Sequence, residues 1–169
     1  MFASLLLVIL PLLALISASP VRRYTSAQIV SGRDGQCLGV LSPPGVGSPV
    51  VSVSCAGTNY FTRWDINPGS GSVILSGTGL ALDAGSNPGN NGALKVWTSY
   101  PTLYQQTWYL TGDNRIAITG GNQCLDEGTN GIQTYQCTTG NTNQVFNVGG
   151  GSTPSSSSSS ARPSCTCPV

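Results

Sequence analysis

Residues 122–126 read Asn122-Gln123-Cys124-Leu125-Asp126, and the frame they set occurs twice earlier, as Gly35-Gln36-Cys37-Leu38 and Gly79-Leu80-Ala81-Leu82. The three leucines lie 44 and 43 residues apart. Working outward, each frame follows a short β-branched cluster and a turn: Ile29-Val30 before Ser31-Gly32, Val73-Ile74-Leu75 before Ser76-Gly77, and Ile116-Ala117-Ile118 before Thr119-Gly120. Each is followed by a segment of period two, Val50–Val53, Leu94–Trp97 and Ile132–Tyr135, the alternation of a strand with one buried face. Each unit closes on an aromatic in a matching position: Thr62-Arg63-Trp64, Gln106-Thr107-Trp108 and Gln144-Val145-Phe146. Four landmarks in the same order in three consecutive units constitute an internal repeat of about 40 residues. One such unit cannot bury its own apolar face, so three must close around a shared core.

A "Cys-Leu-Asp" start, a "Gln-x-aromatic-x-Cys" middle (Gln133 to Cys137) and a "Gln-x-aromatic" end resemble the repeats of ricin-B-type lectins, over roughly Gln28 to Val148. The resemblance implies an all-β fold, a β-trefoil of twelve strands with pseudo-threefold symmetry, in a small secreted form of fungal type. It also assigns Leu38, Leu82, Leu125, Trp64, Trp108 and Phe146 to the core.

Cysteine placement follows the repeat. Cys37 and Cys55 flank the central loop of the first unit, and Cys124 and Cys137 flank that of the third. The second unit has Ala81 and Ser99 at those places, so both partners are lost together, and this pattern predicts Cys37–Cys55 and Cys124–Cys137 disulfides. Cys165 and Cys167 are left over, and three states stay open for them: a strained mutual bridge, a link to another chain, or exposed thiols.

A neutral sugar presents vicinal hydroxyls and an apolar C–H face. A pocket for it needs a carboxylate acceptor, an amide and an aromatic plate. The lectin resemblance puts these roles in the third repeat on Asp126, Gln133, Tyr135, Asn143 and Gln144. In that frame Asp126 accepts from two hydroxyls, Asn143 donates to one of them and Tyr135 stacks on the ring. Gln144 is expected to orient Asp126, and Gln133 to border the pocket. The plain alternative is that Asp126 caps a turn and Tyr135 fills a half-exposed strand face. The second repeat keeps Asp83, Trp97, Gln105 and Gln106 but has Lys95 in the glutamine place and Gln105 in the asparagine place, so it reads as a second carbohydrate site that is either degraded or retuned. The first has Gly39, Val51, Val53, Phe61 and Thr62, with neither acceptor nor plate, and is expected to be silent. The ligands implied are glycans or polysaccharides with galactose-like or xylan-like sugars. Shallow sites of this kind gain from multivalency, through two pockets or through an oligomer.

Other chemistries are disfavoured. The chain has no histidine, which removes Ser-His-Asp and Cys-His arrangements as well as the usual zinc ligands. Its six acids are Asp34, Asp65, Asp83, Asp113, Asp126 and Glu127, and the equivalent pair Asp83 and Asp126 sits in different repeats, too far apart for glycoside hydrolysis. The chain reads as no enzyme, and it implies no cofactor and no metal. With 8% charged residues and a net charge of +1, it lacks the footprint of a nucleic-acid partner. The rival reading is a β-trefoil protease inhibitor or other protein-interaction module, which the same scaffold supports through an exposed loop.

The ends are of different character. Leu5 to Ile16 is apolar and closes on Ser17-Ala18-Ser19, the pattern of a signal peptide over residues 1–18 and too short for the ~20 residues of a membrane span. Residues 19–27 are expected to be an N-terminal segment in which Arg22-Arg23 is either a dibasic processing signal or two solvated arginines on a flexible terminus, 28–148 the lectin domain, and 149–169 a disordered Gly/Ser/Thr/Pro tail. The expected location is extracellular.

Overall fold

The computed structural model describes residues 23–149. Its strands repeat in fours. The first lobe holds β1 (Tyr24–Ser31), β2 (Cys37–Leu41), β3 (Val50–Val53) and β5 (Trp64–Ile66), with the short β4 (Tyr60–Phe61) inserted. The second holds β6 (Ile74–Leu75), β7 (Leu80–Asp83), β9 (Lys95–Thr98) and β10 (Trp108–Leu110), with β8 (Gly92–Ala93) inserted. The third holds β11 (Ile116–Ile118), β12 (Gln123–Gly128), β13 (Gly131–Gln136) and β14 (Phe146–Gly149). This is the β-trefoil that the lectin resemblance implies, with two strands, β4 and β8, added to the twelve.

Six strands close a barrel. β1 pairs with β14 and β5, β5 with β6, and β10 with β11. The two remaining seams are made by reciprocal bonds between Gly71 and Trp108, both 2.8 Å, and by Phe146 N–H to the Asn114 carbonyl at 2.8 Å. Each lobe also carries a hairpin, β2–β3, β7–β9 or β12–β13, in equivalent register: Cys37 faces Val53, Ala81 faces Trp97 and Cys124 faces Tyr135. The turns into the second and third hairpins need a left-handed residue, supplied by Gly77 (φ 74°) and Gly120 (φ 76°).

The closing aromatics Trp64, Trp108 and Phe146 and the frame leucines Leu38, Leu82 and Leu125 are all buried in one core. Burying each such side chain contributes roughly 1.5–3 kcal/mol. The two tryptophans satisfy their indole N–H inside that core in the same way, Trp64 to the Leu38 carbonyl (2.9 Å) and Trp108 to the Leu82 carbonyl (3.0 Å). Phe146 needs no such acceptor. Both predicted disulfides are present, Cys37–Cys55 and Cys124–Cys137.

The folded unit is slightly longer than 28–148. Tyr24 and Ala27 pair with Ile66 and Trp64, and Gly149 pairs with Gln28. Tyr24 to Ala27, placed in the N-terminal segment by the sequence, thus form part of β1, and Ala27 is buried where it pairs with Trp64 of β5. The expected signal peptide, Arg22, Cys165, Cys167 and the residues after Gly149 lie outside the described residues.

Candidate carbohydrate site

The hairpin register brings the third-lobe residues together. Asp126 lies directly opposite Gln133 across β12–β13, and Tyr135 is two residues along on the same face. A Cβ at Gly128 would run into the Gln133 amide, so a side chain there would shift that amide and disturb its bond to Asp126. Gln133 Nε2 donates to Asp126 Oδ1 at 3.0 Å, and Asn141 Nδ2 donates to Oδ2 at 3.3 Å. Asn141 also caps the 3₁₀ turn Thr142–Gln144, its side-chain oxygen accepting from Asn143 N–H. These groups line an open hollow of about 230 Å³ with Asn143 and half-exposed Tyr135 at its wall. That is below the roughly 300–1,000 Å³ of drug-sized pockets and suits a single small ring.

Gln144 departs from expectation. It is fully buried, but its amide does not touch Asp126: Oε1 accepts from Thr138 N–H at 2.8 Å, and Nε2 donates to the Gln136 carbonyl at 2.9 Å. Gln144 therefore clamps the 3₁₀ turn to the end of β13, and Asn141 takes the carboxylate oxygen it was expected to hold. Gln133 is more than a border residue, because it fixes the acid. Asn141 is signalled in sequence only as an Asx residue before a turn.

Asn91 was missed as well, and it comes from the second lobe. Its loop is tied to β13 by Thr134 Oγ to the Gly89 carbonyl (2.7 Å) and by Gln136 N–H to Asn90 Oδ1 (2.7 Å), and this carries Asn91 to the edge of the third-lobe hollow.

A second hollow, also about 230 Å³, occupies the equivalent face of the second lobe. It is lined by Asp83, Lys95, Trp97, Tyr100 and Gln105 among others. Here Gln106 does reach the acid, at 2.8 Å to Asp83 Oδ2, while Gly85 N–H binds Oδ1 at 2.7 Å. The equivalent of Asn141 is Leu103, which has no donor, so the carboxylate oxygen is left to the glutamine. Lys95 faces Asp83 across the strands, yet its ammonium lies over the Trp97 ring, 4.7 Å from the centroid.

The first lobe has this face filled. Gly39 stands where the acids stand, the Val53 methyl fills the space a Cβ would take there, and β4 pairs along β2 through Val40–Phe61 and Leu41–Tyr60.

A family model described as "Ricin-type beta-trefoil lectin domain" matches residues 76–162. Among solved structures the chain is similar to ThreeFoil, a designed threefold-symmetric protein, with 21% identity over 73% of this chain and 97% of that one, and a TM-score of 0.62. It is also similar to the C-half of an earthworm R-type lectin in complex with GalNAc, with 20% identity, 73% and 96% coverage and a TM-score of 0.56. A mutant of the earthworm lectin C-terminal domain in complex with 6'-sialyllactose matches at 20% identity, 77% and 98% coverage and a TM-score of 0.56. Among curated proteins, none matches the sequence.

Proposed function

Since this chain belongs to the family of ricin-type β-trefoil lectin domains, we propose that it binds carbohydrate, and that the third-lobe hollow receives a neutral sugar. The observation that carries this reading is the convergence of Asp126, Gln133, Tyr135 and Asn143 on one open hollow of sugar-ring size. Asp126 has each oxygen bound to one amide donor, which leaves further acceptor capacity on both for adjacent sugar hydroxyls. Asn143 donates to one of those hydroxyls, and Tyr135 covers the C–H face of the ring. The carboxylate arrives already oriented by Gln133 and Asn141, so little ordering cost falls on binding. The affinity of such a shallow site is about −4 to −6 kcal/mol, in the millimolar to upper micromolar range. The two disulfides suit an oxidising compartment and fit a secreted lectin acting on glycans outside the cell. Galactose-like and xylan-like ligands are the classes to test first.

A glycan array probed with the wild-type chain and with Asp126→Ala tests the reading. Removing the carboxylate costs at least tenfold in affinity for neutral ligands, since hydrogen bonds to a charged group contribute roughly 1.5–3 kcal/mol. Binding of neutral glycans that survives Asp126→Ala, with Tyr135 unperturbed, would remove the site assignment.

A further inference from the structure

We infer that the second-lobe hollow selects a saccharide that carries a carboxylate, with Lys95 as its specificity-determining residue; this rests on reading both hollows as sugar sites. The two hollows share size and scaffold but differ in charge. In the third, Asp126 is the charged group, and the residue facing it across the hairpin is the neutral Gln133. In the second, the facing residue is Lys95, which adds a full positive charge beside Asp83. An anionic sugar is repelled by the third hollow and meets a balanced pair in the second.

The state of Lys95 strengthens the point. A lysine opposite an aspartate would ordinarily pair with it, but Asp83 is buried with both oxygens engaged, by Gly85 N–H and Gln106 Nε2. The ammonium instead rests on Trp97, and no hydrogen bond or ion pair among the described residues engages it. Trp97 is the aromatic plate of this hollow, 38% exposed, so the cation sits on the ring that a sugar must use. A neutral sugar has to push the ammonium aside and offers it only hydroxyls. A sugar carboxylate draws the ammonium off the ring into a charge-assisted hydrogen bond, and the plate is uncovered in the same step. Gln105 and the Tyr100 phenol stand at the same hollow as further donors to the ligand.

The test is an NMR titration of the full chain, following the Trp97 indole N–H, with pairs of ligands that differ at C6: methyl glucuronide against methyl glucoside, and methyl galacturonide against methyl galactoside. A methyl glycoside of N-acetylneuraminic acid serves as a separate arm that distinguishes a sialic acid from a hexuronate. At least one acidic ligand is expected to bind at Trp97 about two- to fivefold more tightly than the neutral sugars, the scale of one partly exposed ion pair. That advantage should shrink as salt is raised and vanish in Lys95→Gln, which restores the third-lobe residue type at this position. Equal binding of acidic and neutral partners at Trp97 would overturn the charge selectivity while leaving the second hollow a sugar site. No response of Trp97 to any ligand, with Tyr135 responding to neutral sugars, would overturn the second hollow as a site while leaving the third. Silence at both would remove the sugar-site reading on which the inference stands.

Discussion

Gln106 and Gln144 occupy equivalent places and are both fully buried, but they perform different work, and replacing each by methionine separates the two roles. Gln144→Met strips partners from Thr138 N–H and the Gln136 carbonyl. Both backbone groups belong to solvent-exposed residues that water can partly re-satisfy, so losing the two hydrogen bonds costs about 1–3 kcal/mol in all. Gln106→Met strips the equivalent pair, Tyr100 N–H and the Thr98 carbonyl, and also the donor to Asp83 Oδ2. The lost bond to a carboxylate adds about 1.5–3 kcal/mol. Urea unfolding should therefore place Gln106→Met below Gln144→Met by roughly 1 M in midpoint, for a slope of about 1–3 kcal/mol/M. Binding divides them again. Asp126 keeps both of its donors, Gln133 and Asn141, in Gln144→Met, so saccharide affinity at Tyr135 should fall less than about twofold, within the loss of a neutral contact. Gln133→Met should lower it severalfold. Equal midpoints for the two variants, or a Gln144→Met chain as weak in binding as Gln133→Met, would refute the assignment of Asn141 as the residue that replaces Gln144 at the acid.

Removing the third-lobe disulfide by Cys124→Ala with Cys137→Ala, across a sequence separation of 13, should cost about 3 kcal/mol in urea unfolding and weaken sugar binding at Tyr135, because the bridge staples the two strands that carry Asp126 and Gln133. Asp113 pairs with Arg115 at 2.8 Å, and the Arg115 guanidinium, followed by the Thr111 hydroxyl, holds its carboxyl below the ordinary aspartate range. Because the folded pKa is the depressed one, the stabilisation is present above the unfolded value and disappears as pH falls through the folded value. Asp113→Asn should lower the urea midpoint at neutral pH and converge on wild type in acid, and parallel curves down to about pH 2 would count against the pairing.

What was legible in the sequence is what a local period or a paired loss encodes. The frame leucines, the closing aromatics and both disulfides are where the repeat puts them. Asp126, Gln133 and Tyr135 could be read as a group only through the lectin resemblance; the β12–β13 register gives the physical reason, since opposite and alternate residues share one face. Asn91 could not, since it reaches the hollow only through a loop of the preceding lobe tied down by Thr134 and Gln136. The partner of Gln144 was equally hidden. Whether a buried glutamine reaches the acid depends on whether a competing donor stands three residues earlier, as Asn141 does in one lobe and the donorless Leu103 does not in the other. The inserted β4 had no periodic signal because it is two residues long.

The same loop contacts explain why the lobes are unequal. The second-lobe hollow is backed by the first lobe: Gly47 N–H bonds to the Val96 carbonyl (2.8 Å), Val96 N–H bonds to the Ser48 carbonyl (2.9 Å), and a methyl at Gly47 would lie 3.6 Å from the Trp97 ring. The third-lobe hollow is backed in turn by the loop of the second lobe that carries Asn90 and Asn91. Each site thus needs its own hairpin face and a long connection from the lobe before it. The third lobe provides no such connection, because β12 and β13 are joined by Thr129-Asn130 alone, with Gly128 paired to Gly131. Contact at that seam runs the opposite way, with Arg33 of the first lobe donating to the carbonyls of Glu127 and Gly128, both at 2.7 Å. With no loop arriving from behind, the first-lobe face is closed from within by Val53 and β4, so its missing acid at Gly39 is one part of a loss that the neighbouring hairpin had already made geometric.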